Sequence, residues 1–495
     1  MKIGFDSEKY IKLQTEEILK RAKMFDNKLY IEFGGKLFDD YHAARVLPGL
    51  YPDIKLRVLK ALGDDIEVLY CVSAKDIEKN KIRGDSGLTY DLEVLRGIDE
   101  LRSNGLFVGN IVITLYDGQP SATKFAEKLR ALGENVYMHT FTKGYPSDIK
   151  TIVSDEGYGA NPHIKTTRPI ILVTAPGASS GKLATCLSQL YHEHKKGVSV
   201  GYAKYETFPI WNLPLKHPVN LAYEAATADI SDVNMIDPYY LESTGKIAVN
   251  YNRDIAVYPI LKEILTMITG NENLYNSPTA MGVNMAGFAI VDDEVCSNAS
   301  RQEIIRRYYR YLVEAKKGQE TKETANNVKV LMNELKIDAS ERKCIAPAIE
   351  KLQTTGKHSV AIELNDGHII TGKTQEFLSA SAGAVLNAIK YFCKVEDDIK
   401  LIPKTILEPI IELKKTIVKS KKVYITLKDA LVALAIASST NDLAKKCLGK
   451  ITLLKGCQMH STCILNVSDE SNLRNLGVNI TCEPEFMDHS LYENK

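Results

Sequence analysis

Residues 171–185 read ILVTAPGASSGKLAT, and this stretch decides the fold class. Its first four residues, Ile171 to Thr174, are apolar or β-branched, as in a strand that is buried on both faces. Small residues follow as far as Gly181, and a helix is predicted from there to Lys195. A buried strand that leads through a glycine-rich turn into a helix is typical of α/β proteins with a parallel sheet.

The glycine-rich turn, residues 176–182, predicts a cradle for a phosphate group. Small residues let successive backbone N–H groups face inward, and the helix N-terminus adds its partial positive charge. The ammonium of Lys182 can then reach outer phosphate oxygens. The residues expected to hold the phosphate are Gly177, Ser179, Ser180, Gly181 and Lys182.

The turn is a degenerate form of the P-loop motif G-x-x-x-x-G-K-[ST]. Pro176 stands where the first glycine belongs, and Leu183 stands where the Mg²⁺-binding hydroxyl belongs. Thr185, Ser179 and Ser180 carry hydroxyls, but none is at the standard position. The alternative interpretation, a tight strand-to-helix turn with an exposed lysine, stays open.

Outward from this stretch, short β-branched runs alternate with amphipathic helical patterns between residues 28 and 200. The predicted strands are Leu29–Phe33, Ile66–Ser73, Asn110–Tyr116, Val136–Thr142, Pro169–Ala175 and Val198–Ala203. The predicted helices between them are Leu56–Leu62, Tyr90–Asn104, Ser121–Leu132 and Gly181–Lys195. This alternation predicts an α/β domain with a mostly parallel sheet and crossover helices, P-loop-like or Rossmann-like.

The C-terminal part is predicted to be a mainly helical α+β domain. Its strands form a β-hairpin with a primed turn at Asn365-Asp366-Gly367. Polar sequence around residues 316–327 marks the boundary before it. We therefore expect an α/β domain over residues 1–203, an irregular and helical extension over 204–325, and the α+β domain over 326–495.

Composition excludes several classes of function. The 495 residues include 63 basic and 62 acidic side chains, so there is no electrostatic case for a nucleic-acid or membrane surface. The nine cysteines lack the regular spacing of a secreted disulfide framework. No export signal and no run of apolar residues long enough for a membrane span is visible, so we expect a cytoplasmic protein.

The loop after the first strand gathers glycines and charged groups. Gly34, Gly35, Lys36, His42 and Arg45 all follow Phe33, and loops at the carboxyl ends of parallel strands are where α/β sheets bind ligands. We expect these residues to meet Lys182 around one anionic ligand. In the alternative, the two glycines form a turn and the charges are solvated.

Three carboxylates follow the lysine loop in the sequence, at Asp229, Asp232 and Asp237. A Mg²⁺–phosphate site requires such groups, and one of them is a candidate metal ligand or general base. Asx turns and helix caps use the same residue types, and that alternative stays open.

Cys457, His460 and Cys463 have the donor types and close spacing of a soft-metal site, but no clear fourth ligand accompanies them. His460 in a ligand pocket is a second interpretation, and a structural histidine is a third.

Six motifs carry a resemblance to a known family. They are YIEFGGKLFDDYHAARVLPG, ILVTAPGASSGKLATCLSQLYHEH, YNRDIAVYPILKEIL, SPTAMGVNMAGFAI, IITGKTQEFLSASAGAVLNAIKYF and GCQMHSTCI. In these motifs, spread over nearly the whole length, the chain resembles the DUF1846 or UPF0371 family of bacterial proteins. The resemblance implies a bacterial, cytoplasmic, non-secreted protein, and it brings no reaction with it.

The leading hypothesis is an enzyme that binds a nucleotide or phosphorylated small molecule between the Gly177–Lys182 and Gly34–Arg45 loops. Lys182 would stabilise phosphate charge, and Asp229, Asp232 or Asp237 would organise Mg²⁺. ATP-dependent phosphoryl transfer or ligation is expected rather than hydrolysis, in a homo-oligomer. The alternatives are a non-catalytic nucleotide sensor or assembly protein, and a metal-assisted enzyme centred on His460.

Overall fold

The computed structural model describes residues 2–26, 28–35, 37–38, 40–83, 87–419 and 424–488. The chain divides into two compact units. The N-terminal unit comprises Lys2–Glu224 and Ser231–Ser300, and the C-terminal unit comprises Ala225–Ile230 and the residues from Arg301 onward. Across these described ranges, no helix has both the length and the apolar character to cross a bilayer.

A parallel sheet forms the centre of the N-terminal unit. The strands of this unit are β1 (Leu29–Phe33), β2 (Ile66–Ser73), β3 (Phe107–Thr114), β4 (Val136–Met138), β5 (Ile170–Thr174), β6 (Gly201–Tyr205), β7 (Asn234–Ile236), β8 (Val249–Tyr251) and β9 (Gly282–Val283). Seven of them form one sheet in the order β4-β3-β2-β5-β1-β6-β9, and every neighbouring pair in it is parallel. The strands β7 and β8 form a separate antiparallel pair.

Strand β5 lies at the centre of the sheet because its residues are all apolar or β-branched. Each of its residues is buried, and so is each residue of its neighbour β2. On its other side β5 pairs with β1, so that Glu32 is the register partner of Val173. The stretch that decides the fold class is therefore the middle strand of the sheet.

The chain connections diverge at the boundary between β2 and β5. From β1 the chain crosses to β2 and continues outward to β3 and β4, whereas from β5 it crosses in the opposite direction to β6. In open parallel sheets the crevice at such a switch point, outside the carboxyl ends of the strands, is the usual ligand site. The glycine-rich turn leaves β5 at this crevice.

Helices cover the sheet and supply the edge of the crevice. The helices of this part of the chain are α1 (Ser7–Lys23), α2 (Tyr41–Val46), α3 (Ile54–Ala61), α4 (Ala74–Glu78), α5 (Tyr90–Ser103), α6 (Pro120–Ala131), α7 (Ile149–Ile152), α8 (Lys182–Lys195), α9 (Pro218–Ala226), α10 (Pro238–Thr244), α11 (Asn252–Thr269), α12 (Pro278–Met281) and α13 (Asp293–Lys316). Helix α8 packs on β1, β5 and β6 and also against α11. The hydroxyl of Tyr30 donates to Glu193 of α8 at 3.3 Å, so α8 covers the sheet face that Tyr30 shares with Glu32.

The C-terminal unit combines helices with a small mixed sheet. Its further elements are α14 (Lys322–Glu334), α15 (Ile345–Thr355), β10 (Ser359–Glu363), β11 (Ile369–Lys373), α16 (Ala380–Phe392), α17 (Lys404–Thr416), α18 (Leu427–Ala437), α19 (Asp442–Leu448), β12 (Gln458–Ser461), α20 (Val467–Asn475) and β13 (Asn479–Cys482). The sheet order is β11-β10-β12-β13, in which only β12 and β13 are parallel. Helix α16 packs across β10 and β11, and Val360, Ile362, Val385 and Met459 are fully buried in this core.

The predicted fold class is confirmed: a parallel α/β sheet precedes a mainly helical part with a β-hairpin. The primed turn predicted for that hairpin is wrong. A primed type I turn needs positive φ at two consecutive residues, but of Asn365, Asp366 and Gly367 only Gly367 has it, at 87°. Leu364 N–H donates to the His368 carbonyl at 2.8 Å, so the loop has three residues with glycine in the left-handed position.

The bounds of two strands, β4 and β6, differ from the predictions, and the difference at β6 matters for function. Strand β4 ends at Met138 rather than Thr142. His139 still makes two backbone hydrogen bonds, one to the Ile113 carbonyl and one from Tyr116 N–H, and the chain then leaves the sheet. Strand β6 begins at Gly201 rather than Val198 and runs on to Tyr205. Lys204 and Glu206, predicted to lie in an irregular segment, therefore lie at the carboxyl edge of the sheet.

Two glycines lie where β11 meets α16, and we expect their replacement by alanine to change the free energy of unfolding in opposite directions. A Cβ on Gly372 would lie 2.4 Å from the Ala384 nitrogen and 2.6 Å from the Ala380 carbonyl oxygen, and neither backbone atom can give way. Gly372→Ala should lower the free energy of unfolding by about 1 to 3 kcal/mol. Gly383→Ala, whose Cβ meets nothing closer than 3.8 Å, should raise it by about 0.5 to 1 kcal/mol through helix propensity. Thermal unfolding midpoints measure both, and equal shifts would contradict the packing described.

Candidate phosphate-binding site

The turn between β5 and α8 alternates in backbone handedness. Ser179 and Gly181 have positive φ angles of 56° and 78°, while Ala178, Ser180 and Lys182 do not. Alternation of right- and left-handed residues turns consecutive N–H groups toward one side and forms an anion-binding concavity. The turn therefore has the backbone shape of a nest at the start of a long helix.

The amide groups of this nest have no internal acceptors. Over the described part of the chain, nothing accepts a hydrogen bond from the N–H groups of residues 177–182. The first helical bond runs from Thr185 N–H to the Gly181 carbonyl at 2.9 Å, and no side chain caps the helix. Six consecutive main-chain donors are thus available to solvent or to a ligand.

The same turn is held firmly from its other side. The Thr114 hydroxyl donates to the Ser180 carbonyl at 2.7 Å, and the Ser180 hydroxyl donates to the Gly177 carbonyl at 3.0 Å. A Cβ on Gly177 would lie 2.4 Å from the hydroxyl oxygen of Tyr90, so any larger residue there would require Tyr90 to move. The hydroxyl of Ser180, one of the three that the sequence offered in place of the standard metal-binding hydroxyl, is buried within the turn.

Lys182 opens helix α8 and folds back over the nest. Its Nζ lies 3.4 Å from the Gly177 carbonyl oxygen, and the side chain is half-buried. A contact of this length to a neutral acceptor is weak, so little free energy opposes movement of the ammonium to an anion. The ammonium thus lies at the rim of the turn.

The second predicted loop leaves β1, the strand next to β5. Gly34 N–H donates to the Tyr205 carbonyl at 3.0 Å, and Gly35 has a φ of 72°. Lys36 lies outside the described residues. The buried cation of this loop is Lys55, a residue that the sequence interpretation missed, with Nζ 3.1 Å from Asp40 Oδ2 and 3.5 Å from the Gly34 carbonyl oxygen.

His42 and Arg45 lie on α2, directly after this loop. The His42 ring centroid is 5.1 Å from that of Tyr223 and 6.3 Å from that of Phe208, and those two rings stack at 4.4 Å. Arg45 is half-buried on the same helix. His42 therefore belongs to an aromatic cluster rather than to the glycine turn itself.

Four charged side chains at the carboxyl edge of β1 and β6 form what we call the edge cluster: Glu32, Lys204, Glu206 and Asp254. Glu32 and Lys204 are register partners on adjacent strands. Lys204 Nζ lies 2.8 Å from Glu206 Oε1 and 2.6 Å from Asp254 Oδ2. The Tyr202 hydroxyl donates to Glu32 Oε2 at 2.7 Å.

Electrostatics in the edge cluster shift the ionisation of Glu206. Burial raises the pKa of Glu206 to about 7, with Asp254 and Glu32 adding to the effect and Lys204 opposing it. A carboxyl with a pKa near neutrality can exchange a proton at physiological pH. The geometry thus singles out a residue that sequence reasoning did not.

A signal for the edge cluster was present in the sequence. Tyr202 and Lys204 alternate along β6, and Glu206, the residue directly after the strand, continues the alternation on the same face. A charged residue that follows a buried strand marks its carboxyl end. The predicted strand stopped at Ala203, which hid this pattern. Glu32 and Asp254 come from distant segments, and no local pattern links them to Glu206.

The partners recorded for the three predicted carboxylates are not residues of the glycine turn. Asp237 is fully buried, caps α10 through the N–H groups of Tyr239 and Tyr240, and accepts the Thr279 hydroxyl at 2.7 Å. Asp232 lies 3.3 Å from an Arg253 nitrogen. Asp229 belongs to the C-terminal unit and accepts from the Tyr311 hydroxyl at 3.3 Å.

His460 is fully buried in the C-terminal unit, where it bridges two partners. Its Nδ1 lies 2.9 Å from Thr481 Oγ1 and its Nε2 lies 3.2 Å from Glu483 Oε1. Burial lowers its pKa, against the opposing effect of Glu483. Because neighbouring strand residues face opposite sides, Met459 of β12 points into the α16 core while His460 points away from it. In the described ranges no three His, Cys, Asp or Glu side chains are grouped to hold a metal ion, and this includes Cys457, His460 and Cys463.

Comparison with known proteins identifies relatives over the full length. The family described as "Domain of unknown function DUF1846, N-terminal" matches residues 3–336, and the corresponding C-terminal family matches residues 340–492. The chain is 53% identical to a UPF0371 protein of Clostridium tetani (strain Massachusetts / E88) over 502 aligned positions that cover 100% of both chains. It is 52% identical to a UPF0371 protein of Clostridium botulinum (strain Langeland / NCTC 10281 / Type F), again over 100% of both chains.

The raised pKa of Glu206 predicts a pH dependence of stability. A carboxyl whose pKa is higher in the folded than in the unfolded chain binds more protons when the chain is folded. The free energy of unfolding therefore falls as the pH rises from 4.5, the ordinary pKa of a glutamate, to about 7, the pKa of Glu206 in the fold. The groups that face Glu206 are Lys204, Asp254 and Glu32, with Tyr251 nearby. Glu206→Gln should flatten this decline.

Thermal unfolding midpoints at pH 5 and pH 8 measure the effect. Glu242→Gln, which alters an exposed carboxylate on α10, is the matched control and should keep the wild-type slope. A Glu206→Gln variant with the same slope as the control would show that Glu206 titrates normally.

Proposed function

The chain belongs to the DUF1846 family of bacterial proteins, and we propose that it binds a nucleotide or another phosphorylated small molecule at the glycine-rich turn. One observation carries the proposal. Residues 177–182 present six consecutive N–H groups without internal acceptors, in a turn of alternating handedness at the N-terminus of α8. Phosphate oxygens are the acceptors that such a site favours.

Lys182 supplies the charge that the amides lack. Its ammonium would leave the Gly177 carbonyl and reach an outer phosphate oxygen, gaining a charge-assisted hydrogen bond. The Gly34-Gly35 loop of the neighbouring strand β1, with Lys55 buried behind it, forms the next part of the same sheet edge. The remainder of the ligand would extend over this edge.

The edge cluster supports an enzyme over a simple binding protein. Glu206, with a pKa of about 7, would accept a proton from an attacking nucleophile at neutral pH, and Lys204 would hold its carboxylate in place. Phosphoryl or nucleotidyl transfer, or ligation, needs this kind of base together with a phosphate cradle. We therefore favour a nucleotide-dependent transferase or ligase.

ATP with Mg²⁺ is the proposed cofactor, and the metal would arrive on the nucleotide. Mg²⁺ keeps most of its waters and often binds through substrate phosphates and one or two carboxylates, so a complete protein cage is not required. Leu183 occupies the place of the usual metal-binding hydroxyl, and the hydroxyl of Thr185 is buried against Cys71. Asp229, Asp232 and Asp237 have the other partners described above.

A non-catalytic nucleotide sensor is the second candidate, and Leu183 favours it. Without a hydroxyl at this position the turn lacks the standard metal ligand of P-loop enzymes. Such a protein would use the same amides and Lys182 but form no product.

We further propose a cytoplasmic location and a homo-oligomeric state. In the described residues none of the nine cysteines forms a disulfide bond, as expected in a reducing compartment. The ligand class remains a phosphate-bearing small molecule, with no role for nucleic acid or membrane in view of the balanced charge.

Removal of the Lys182 ammonium tests the proposal. Lys182→Ala should weaken ATP binding about ten-fold or more, because a charge-assisted hydrogen bond contributes roughly 1.5 to 3 kcal/mol. Lys195→Ala, at the other end of the same helix, removes an exposed ammonium paired with Asp155 and should leave affinity unchanged. Isothermal titration calorimetry with ATP, ADP, GTP and pyrophosphate measures both variants.

The proposal would be contradicted if the wild type bound none of these nucleotides, or if the two lysine variants bound ATP with equal affinity. Product analysis with the same nucleotides separates the two candidates. Turnover that disappears in Glu206→Gln supports the transferase or ligase, and tight binding without product supports the sensor.

A further inference from the structure

We propose that Glu206, Asp254 and Tyr251 form a subsite for the primary ammonium group of a second substrate. The inference rests on the proposed function, since it names the class of molecule that would meet the bound nucleotide. Asp254 lies in the first turn of α11, and Tyr251 is the last residue of β8, immediately before that helix. Glu206 follows β6.

The charge balance of the edge cluster favours a cation. Three carboxylates, of Glu32, Glu206 and Asp254, surround the single ammonium of Lys204, which contacts only two of them within 4 Å. Glu32 is bound by the neutral hydroxyl of Tyr202. Partly buried carboxylates need compensating charge or hydrogen bonds, and a second ammonium would supply both.

The buried hydroxyl of Tyr251 is a second observation that indicates a ligand site. The residue is 3% exposed, and its hydroxyl oxygen has no hydrogen-bond partner among the described residues. Burial raises its pKa, and Tyr223, Glu206, Asp232 and Asp254 raise it further, which places the hydroxyl within electrostatic reach of the acidic groups. Buried hydroxyls are rarely left without a partner, so this one is expected to bind a ligand atom.

Aromatic rings border the same place. The ring centroids of Tyr223 and Tyr251 are 6.2 Å apart, and Phe208 stacks on Tyr223 with a 10° angle between the ring planes. Aromatic faces and carboxylates together are the usual surroundings of an organic cation. An alkyl chain attached to the ammonium would pack against these rings.

An ammonium suits these groups by donor count. It carries three N–H donors, and Glu206, Asp254 and Tyr251 offer one acceptor group each. Lys204 already makes two such contacts to the same carboxylates. In the part of the chain that is described, no three acidic, His or Cys side chains are close enough together for a metal ion.

The subsite lies on the sheet face that the phosphate helix covers. Burial raises the pKa of the Cys186 thiol on α8, Glu32 raises it further and Lys182 opposes the increase, so both charges act on one side chain of that helix. Glu32 belongs to the edge cluster and Lys182 to the nest. A phosphate in the nest and an ammonium in the subsite would therefore lie along one edge of the sheet.

Saturation-transfer difference NMR on the full chain tests the inference, with n-butylammonium as the probe and n-butanol as its neutral counterpart. We expect binding of butylammonium and none of butanol. Affinity should fall about ten-fold in Glu206→Gln and about three-fold in Tyr251→Phe, because each variant removes an acceptor or hydroxyl without changing side-chain shape much. Glu242→Gln should bind as the wild type does.

Equal binding of butanol, or unchanged affinity in both subsite variants, would overturn the inference. So would competition by MgCl₂ that is lost in Glu206→Gln, since this would mark a metal site instead. ATP binding is measured in the same samples. If ATP binds and the amine does not, only this inference is wrong. If the amine binds and ATP does not, the ammonium subsite is supported and the proposed function is wrong.

Discussion

Main-chain pairing of β5 with β1 on one side and β2 on the other is the interaction on which the rest of the N-terminal unit depends. Because the strands are parallel, their carboxyl ends share one edge, and each loop that leaves this edge starts from a fixed position. The nest follows β5, the Gly34-Gly35 loop follows β1, and Glu206 follows β6. Shifting β5 by one residue would turn its buried faces around and misplace the nest.

Around the nest, some polar groups fix the backbone of the turn and others are free to bind a ligand. The Thr114 hydroxyl donates to the Ser180 carbonyl and the Ser180 hydroxyl donates to the Gly177 carbonyl, so both carbonyl groups of the turn have partners within the protein. The amides keep no internal partner. A backbone that is fixed in this way loses little conformational entropy on binding, which is the advantage of a preorganised site. The edge cluster is preorganised similarly, since Lys204 holds two carboxylates at hydrogen-bond distance.

Sequence reasoning could identify those parts of the candidate site that lie within one short segment. Gly177 to Lys182 is continuous, and its position between a buried strand and a helix follows from local patterns. It offered one of Asp229, Asp232 and Asp237 as a candidate metal ligand or general base, with helix caps as the alternative, and Asp237 does cap α10 and accept the Thr279 hydroxyl. Carboxylates that cap helices and carboxylates that bind metals have the same local signature, so nothing in the sequence separates the two.

The sequence by itself determined the α/β class, the order of the first six strands along the chain, and the location of the glycine-rich turn, because these depend on hydrophobic periodicity and on small residues over short ranges. Tertiary structure alone decided which strands are neighbours, and with them the edge cluster. Glu32, Lys204 and Asp254 are separated by tens to hundreds of residues in the chain and meet only because β1 pairs with β6 and α11 packs beside them. Long-range pairing is a cooperative property of the whole sheet, and no local segment encodes it.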